Sequence, residues 1–288
     1  MADRVSQRIR RLAPALGLVP FLGYLVIFLL IPTIAVLVGA FSENGSPSLS
    51  NIRTLGSGDV MRTLGRSIVL SGSTAVIGAV LGALLAYAVV TGSPDGMLRR
   101  MVTSACGVLA QFGGVTLAFA FIATIGFSGA ITNIVRDTFG FDLFGNGWLF
   151  GLPGLILVYT YFQIPLMVIV FLPTLGGMRV QWREAAESLG ATTWQFWRHV
   201  AGPLLFPAFL GSMLLLFANA FAAYATAAAL VSQGNPILPL FIRSALTSEI
   251  LLGRENLAYA LALDMIVVVA VVMTAYALLL RRTARWLR

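Results

Sequence analysis

Residues 176–205 read GGMRVQWREAAESLGATTWQFWRHVAGPLL, and the chain is apolar on both sides of them. Upstream, no charge occurs between Asp142 and Arg179; downstream, none occurs between His199 and Arg243. A membrane helix needs about 20 largely apolar residues, and a charge at mid-bilayer costs about 2.5–3.5 kcal/mol on the insertion scale. Both windows are therefore spans, and the quoted stretch is the polar loop between them.

Working outward, the windows between Arg11 and Glu43, Arg66 and Asp95, Arg100 and Arg136, and Glu255 and Arg281 qualify on the same ground, the last interrupted only by Asp264. The reading is an all-α integral membrane protein with six transmembrane helices at roughly 15–40, 68–91, 102–126, 149–173, 204–231 and 257–280. The 288-residue composition agrees: 58% hydrophobic, 10% charged, with a mean hydropathy of +0.91. It organises as a basic N-terminal tail at 1–14, one six-span domain at 15–280 whose long loop occupies about 174–203, and a basic C-terminal tail at 281–288. The Arg4–Arg11 cluster resembles the start of a signal peptide. The apolar stretch after it is too long for a signal core and lacks an A-x-A-like cleavage site, so it reads as a retained first helix.

All 19 basic residues are arginines. Placing both termini on one side collects 13 arginines against four acids there, a balance of +9, and leaves six of each sign on the other side. By the positive-inside rule the basic side, with both termini, is cytoplasmic. Arginines that cluster at helix ends suit anionic headgroups, and a nucleic-acid partner is not expected. Without lysine there is no Walker P-loop and no Schiff-base lysine, so the chain is not itself a P-loop ATPase. One histidine (His199) and one cysteine (Cys106) cannot furnish a zinc site or an intrachain disulfide. No metal or cofactor is expected in this chain.

Within the quoted loop the pattern is helix, break, helix. Trp182–Leu189 is a good helix former with Arg183 and Glu187 paired at i,i+4, and Gly190 suits a left-handed stop. Thr192 or Thr193 can cap a second helix running through His199, with Pro203 near the start of the next span. Trp194, Phe196, Trp197 and Val200 give that helix an apolar surface, while Ala185 and Ala186 make the first narrow enough to enter a groove on another protein.

Glu184-Ala185-Ala186, three residues, Gly190, nine residues, then Val200-Ala201-Gly202-Pro203 resemble the EAA loop of the permease subunits of bacterial type I ABC importers. That family's pattern is E-A-A, three residues, G, nine residues, I-x-L-P; here Gly202 stands where leucine is usual. The L-G-A-L-L-A-Y of span two and the Y-F-Q-I-P-L-M of span four extend the resemblance over nearly the whole chain. It implies a loop, carried by Glu184, Ala185, Ala186, Gly190, Val200 and Pro203, that docks into a separate ATPase subunit, where ATP and Mg are bound. It implies further partners: two ATPase subunits, a second permease subunit identical or homologous to this one, and an extracytoplasmic solute-binding protein, all in or at the bacterial inner membrane. The chain itself then performs no bond chemistry.

Sugar-importer permeases commonly read E-A-A-x-x-D-G-A, whereas Leu189 stands here in place of the aspartate. This looks more like the polyamine, iron(III), thiamine, phosphonate and sulfate branches. The P-x-L-P-L-F-I-R segment from Pro236 to Arg243 and the short 42–66 loop favour a polyamine-like cargo, with a sugar as the alternative. Residues proposed to line the path are Asp264 in span six, Asn219 and Tyr224 in span five, and Tyr159 and Gln163 in span four; each has a bland reading as a structural hydrogen-bonding group. Gly78, Gly82, Ala83 and Ala86 read as close-packing positions. The loops at 42–66 and 232–256 read as connectors. Two rival functions are weaker. Gly126-Phe127-Ser128-Gly129 matches the G-x-S-G of rhomboid proteases, but His199 lies at the opposite membrane face. A channel or secondary transporter leaves the EAA loop unexplained.

Overall fold

The computed structural model describes residues 18–43, 46–92, 96–145, 147–231, 237–247 and 255–284. The basic tails at 1–14 and 285–288, Pro236 and much of the 232–256 loop lie outside the described residues. In chain order the helices are α1 (Leu18–Ala40), α2 (Ser50–Leu55), α3 (Gly58–Thr91), α4 (Met97–Gln111), α5 (Gly114–Ile125), α6 (Ala130–Phe139), α7 (Leu152–Gly176), α8 (Val180–Ser188), α9 (Thr193–Ala222), α10 (Ala225–Leu230), α11 (Leu238–Thr247) and α12 (Glu255–Ala284). Among the described residues, six segments are long and apolar enough to cross a membrane: α1, α3, Gly114–Phe139, α7, α9 and Asn256–Leu278.

Three of the sequence-based spans need correction. Helix α3 starts at Gly58 rather than near 68, because Asp59 places a negative charge in its first turn and Arg62 pairs with it at 3.8 Å. The second half of the 42–66 loop is thus helix, and its first half is a hairpin pairing Ser42 with Pro47 and Glu43 with Ser46, followed by α2. The third span is not one helix over 102–126: α4 begins at Met97 and ends before Phe112-Gly113, and α5 restarts at Gly114 with φ +72°. The fifth span begins at Thr193, inside the loop, and breaks at Ala223-Tyr224.

Two helices contain π-turns, at Val26–Leu30 in α1 and Trp197–Ala201 in α9, and each lies just ahead of a proline, Pro32 and Pro203. A proline ring crowds the carbonyl four residues earlier, and a widened turn relieves that contact without ending the helix.

The described residues fall into two compact units. In the first, comprising residues up to Ser57 with Ile242–Asp264, Gly39 of α1 lies against the Tyr259 ring: a Cβ there would come within 2.7 Å of Tyr259 Cγ. Asn51 donates to the Ser42 carbonyl at 3.0 Å and ties α2 to the hairpin.

The second unit, Gly58–Phe241 with the residues from Met265 onward, is organised on the contact of α3 with α7. Gly78 and Gly82 sit one above the other, and a Cβ on either would come within 2.6 Å of Gln163 Cβ or 2.5 Å of Met167 Cβ. Two apolar cores flank this seam. One gathers Leu70, Leu117, Leu149, Tyr159, Phe162 and Leu230; the other gathers Ala79, Met167, Phe171, Phe196, Leu205 and Leu216. Further along, Gly211 of α9 packs on the Tyr276 ring of α12, where an added Cβ would lie 3.0 Å from Cδ2.

Substitution of Gly82 by Val drives a branched side chain into Met167 and the Ile164 carbonyl, and is expected to destabilise the protein by about 1–3 kcal/mol. Gly72→Ala, where nothing lies within 4 Å, is expected instead to gain about 0.8–1.0 kcal/mol of helix propensity. Unfolding midpoints in detergent, read by tryptophan fluorescence, should move in opposite directions.

Candidate functional site

The loop between α7 and α9 is a closed helix–turn–helix. Helix α8 ends in two reinforcing bonds: the Gly190 amide donates to the Glu187 carbonyl at 2.9 Å and the Ala191 amide to the Ala186 carbonyl at 3.0 Å. This Schellman arrangement requires a left-handed residue, and Gly190 supplies it at φ +78°. Two residues later Thr192 caps α9. Its Oγ1 accepts from the Gln195 amide at 3.3 Å, and its own amide donates to Gln195 Oε1 at 2.7 Å, a reciprocal capping box. Arg183 and Glu187 make the expected i,i+4 pair at 2.9 Å.

The side chains divide by face. Ala186 is half-buried against the core with Phe196 and Trp197, so it anchors the loop. Glu184 and Ala185 are exposed, as are Val200 and Pro203. Leu189 at 88% and Trp194 at 72% relative exposure are apolar groups on either side of the Gly190 turn. The sequence reading used Leu189 only as a branch marker; its position directly before a left-handed glycine was the signal that it is pushed outward. The second helix is not a separate surface helix either, since α9 runs on unbroken from Thr193 to Ala222.

The second site lies where α9 ends. The breaks at 112–113 and 223–224 face one another: the Gly114 amide donates to Thr226 Oγ1 at 3.0 Å, and the Tyr159 hydroxyl donates to the Ala223 carbonyl at 2.7 Å. Between them is a cavity of about 300 Å³ lined by Gly113, Gly114, Phe162, Asn219, Tyr224 and Thr226, among others. Irregular backbone at membrane depth persists only where protein or a water-filled cavity satisfies it, and interrupted helices mark binding sites in transport proteins.

Of the residues proposed for the path, Asn219 and Tyr224 line this cavity. Gln163 and Tyr159 are fully buried: Gln163 donates to the Leu216 carbonyl at 2.7 Å and receives a long contact from Asn219 at 3.5 Å. They brace α7 against α9 behind the cavity wall. Asp264 is partly buried in the first unit, and its Oδ2 has no hydrogen-bond partner among the described residues. Sequence reasoning passed over Gly113, Gly114 and Thr226. The adjacent glycines in an apolar run were the available signal; Thr226 carried none.

Ser128 lies exposed in the turn after α5, where the Gly129 amide bonds the Gly126 carbonyl at 3.0 Å, and His199 Nδ1 is 3.0 Å from the Gln195 carbonyl of its own helix.

No family model matches the chain. Among curated proteins it is 27% identical over 203 residues to the ferric transport system permease protein FbpB of Actinobacillus pleuropneumoniae, covering 68% of this chain and 28% of that protein. It is 26% identical over 238 residues to the sulfate transport system permease protein CysW of Synechocystis, covering 77% of each. Its homologues are ABC-transporter permeases. The matched region spans less than a third of the length of the first ferric relatives. Among solved structures, a bacterial ABC transporter involved in import of the acidic polysaccharide alginate aligns over 98% of this chain and 99% of its own, with a TM-score of 0.77 at 17% identity. The alginate transporter in complex with its alginate pentasaccharide-bound periplasmic protein gives a TM-score of 0.78 at 20% identity. The fold is that of an ABC importer's membrane subunit. The homologues are permease proteins rather than enzymes.

Thr226→Val strips the partner from the Gly114 amide, and an unpaired buried donor costs about 1–3 kcal/mol. Hydrogen exchange measured by mass spectrometry is expected to lose protection in a peptide that begins several residues before Gly114 and includes its amide. Thr124→Val, which removes only bonds to the Ala120 and Phe121 carbonyls of its own helix, is expected to leave the Gly114 amide unchanged.

Proposed function

We propose that the chain is the membrane subunit of an ATP-driven importer, with the α8–Gly190–α9 loop coupled to a separate ATPase and the cavity at the two helix breaks forming part of the solute path. The observation that carries this reading is the loop itself. It reproduces the spacing of the EAA loop, and its Schellman turn and capping box present Glu184, Ala185, Leu189 and Trp194 outward on one rigid connector. Its partners are two ATPase subunits, a second permease subunit and an extracytoplasmic binding protein, with the arginine-rich face and both termini in the cytoplasm of a bacterial inner membrane.

In the proposed cycle, closure of the ATPase pair draws the loops of the two permease subunits together. The span bundles rotate, the cavity opens toward the binding protein, and hydrolysis resets it. The chain supplies docking, rigidity and a path, and ATP and Mg stay on the partner.

For cargo we favour a small non-sugar solute. The ferric and sulfate relatives support that branch, as does Leu189 in place of the aspartate common in sugar permeases. The cavity's described lining holds no carboxylate, and its side-chain amide, Asn219, can both donate and accept hydrogen bonds. The polyamine reading keeps the support of the Pro236–Arg243 segment and adds Asp264, whose Oδ2 has no hydrogen-bond partner among the described residues.

Gly190→Asp and Ala186→Glu are each expected to insert normally and to abolish ATP-dependent uptake in reconstituted vesicles while ATPase activity persists uncoupled. Wild-type uptake by both variants overturns the coupling assignment. Cargo is read from the cognate binding protein by thermal shift with iron(III), sulfate, phosphonates, thiamine, spermidine and sugars; stabilisation by a sugar alone overturns the non-sugar branch.

A further inference from the structure

At the arginine-rich end of the second unit, the C-terminal turns of α3 and α7 and the start of α9 enclose an apolar slot of about 500 Å³. Leu84, Tyr87, Leu175, Trp197, Leu205 and Phe206 line it, and Ala83 and Gly202 leave it open where a larger side chain would fill it. The π-turn brings Trp197 here. The Gly202 amide bonds the Trp197 carbonyl five residues back, which sets Trp197 beneath Gly202 on the slot-facing stripe of α9. Its ring meets Tyr87 edge-on at 5.2 Å, closing one end with two amphipathic aromatics of the kind that sit at headgroup level. The outer lips are apolar and open: Leu84 is 60% and Phe206 57% exposed.

We infer that this slot is a binding site for one acyl chain of an anionic phospholipid, whose headgroup is held by Arg198 and Arg99. Charge selects the occupant. Arg198 follows Trp197 directly. The Arg99 guanidinium reaches within 3.9 Å of the point where a Cβ on Gly176 would stand, one residue beyond the lining Leu175. Neither guanidinium is in an ion pair among the described residues; those recorded are Arg62 with Asp59 and Arg183 with Glu187. The slot is narrow and apolar, and an extended hydrocarbon chain can enter it lengthwise. The inference needs only that these helices span a bilayer and stands apart from the importer reading.

The test uses the full chain reconstituted in phosphatidylcholine bilayers doped with phosphatidylglycerol or phosphatidylcholine brominated on the acyl chain. Quenching of wild type minus that of Trp197→Phe isolates this tryptophan from the other four in the chain. The isolated signal is expected to favour phosphatidylglycerol, and Arg198→Gln and Arg99→Gln each to reduce that preference about fivefold, the attraction of one basic residue for an anionic surface. Ala83→Phe, which fills the slot, is expected to remove the Trp197-specific quenching by either lipid. Equal quenching by the two lipids in the wild type, or quenching unaffected by Ala83→Phe, overturns the proposal. So does efficient disulfide dimerisation of a Leu84→Cys variant, which would show a second copy in the slot.

Discussion

Where a helix stops inside a packed protein, its open amides and carbonyls must find partners there, and two such stops face one another in this chain's second unit. The end of α9 at Ala222 frees carbonyls, and the start of α5 at Gly114 frees amides. The chain closes both with single side-chain bonds from elsewhere: Tyr159 reaches the Ala223 carbonyl, and Thr226 accepts from Gly114. Each of these bonds is worth only about 0.5–1.5 kcal/mol net when formed, but leaving either buried group unpaired costs about 1–3 kcal/mol. That asymmetry makes the juxtaposition of the breaks obligatory. Tyr159 can reach Ala223 only because α7 is fixed against α3 by the missing side chains of Gly78 and Gly82 and against α9 by the bond from Gln163 to the Leu216 carbonyl.

The same helix that ends at the cavity begins in the loop. From Thr193 to Ala222, α9 spans about 45 Å at the usual rise per residue, with a capping box at one end and the cavity at the other. Pro203 and Pro207 lie within it, and continuity survives because the π-turn at Trp197–Ala201 absorbs the strain of the first. In the importer proposed above, this helix would join the loop that meets the ATPase to the cavity that holds the solute. The π-turn has a second effect in the same place, since re-registering the helix by one residue is what turns Trp197 toward Tyr87.

How much of this was legible in the sequence depends on the scale of the signal. Charge-free windows gave the number of spans because insertion energetics act over some 20 residues at once, but arginines did not mark their limits, since three of the observed segments run through Arg62 and Arg66, Arg136 and Arg198. Turn chemistry was legible too, since Gly190 and a cap at Thr192 or Thr193 act through bonds to neighbours within five residues; the Gln195 half of the capping box was not read. Helix breaks were not. The interruptions at Phe112-Gly113 and Ala223-Tyr224 fall inside apolar runs where hydropathy is flat, and Ala223 and Tyr224 carry no breaker at all; what ends that helix is a tertiary bond from Tyr159, 64 residues away. The early start of α3 was hidden for the opposite reason, because Asp59, Arg62 and Arg66 looked like loop while in fact stabilising an extramembrane helical turn.

The polar residues within the spans show why identity alone cannot assign a path. Gln163, Tyr159, Asn219 and Tyr224 are chemically interchangeable candidates on paper, and the structure separates them by what their polar atoms have already engaged. Gln163 and Tyr159 spend their donors on backbone carbonyls and are sealed from the cavity, so replacing them loosens the frame rather than the solute contacts. Asn219 touches Gln163 only at 3.5 Å and lines open space, which leaves its amide available to a ligand at little desolvation cost. The described polar lining of this cavity is therefore one side-chain amide, a tyrosine, a threonine and the backbone of two helix breaks. In the importer proposed above, a lining so sparse would discriminate weakly among small polar solutes and leave specificity to the protein that delivers the cargo.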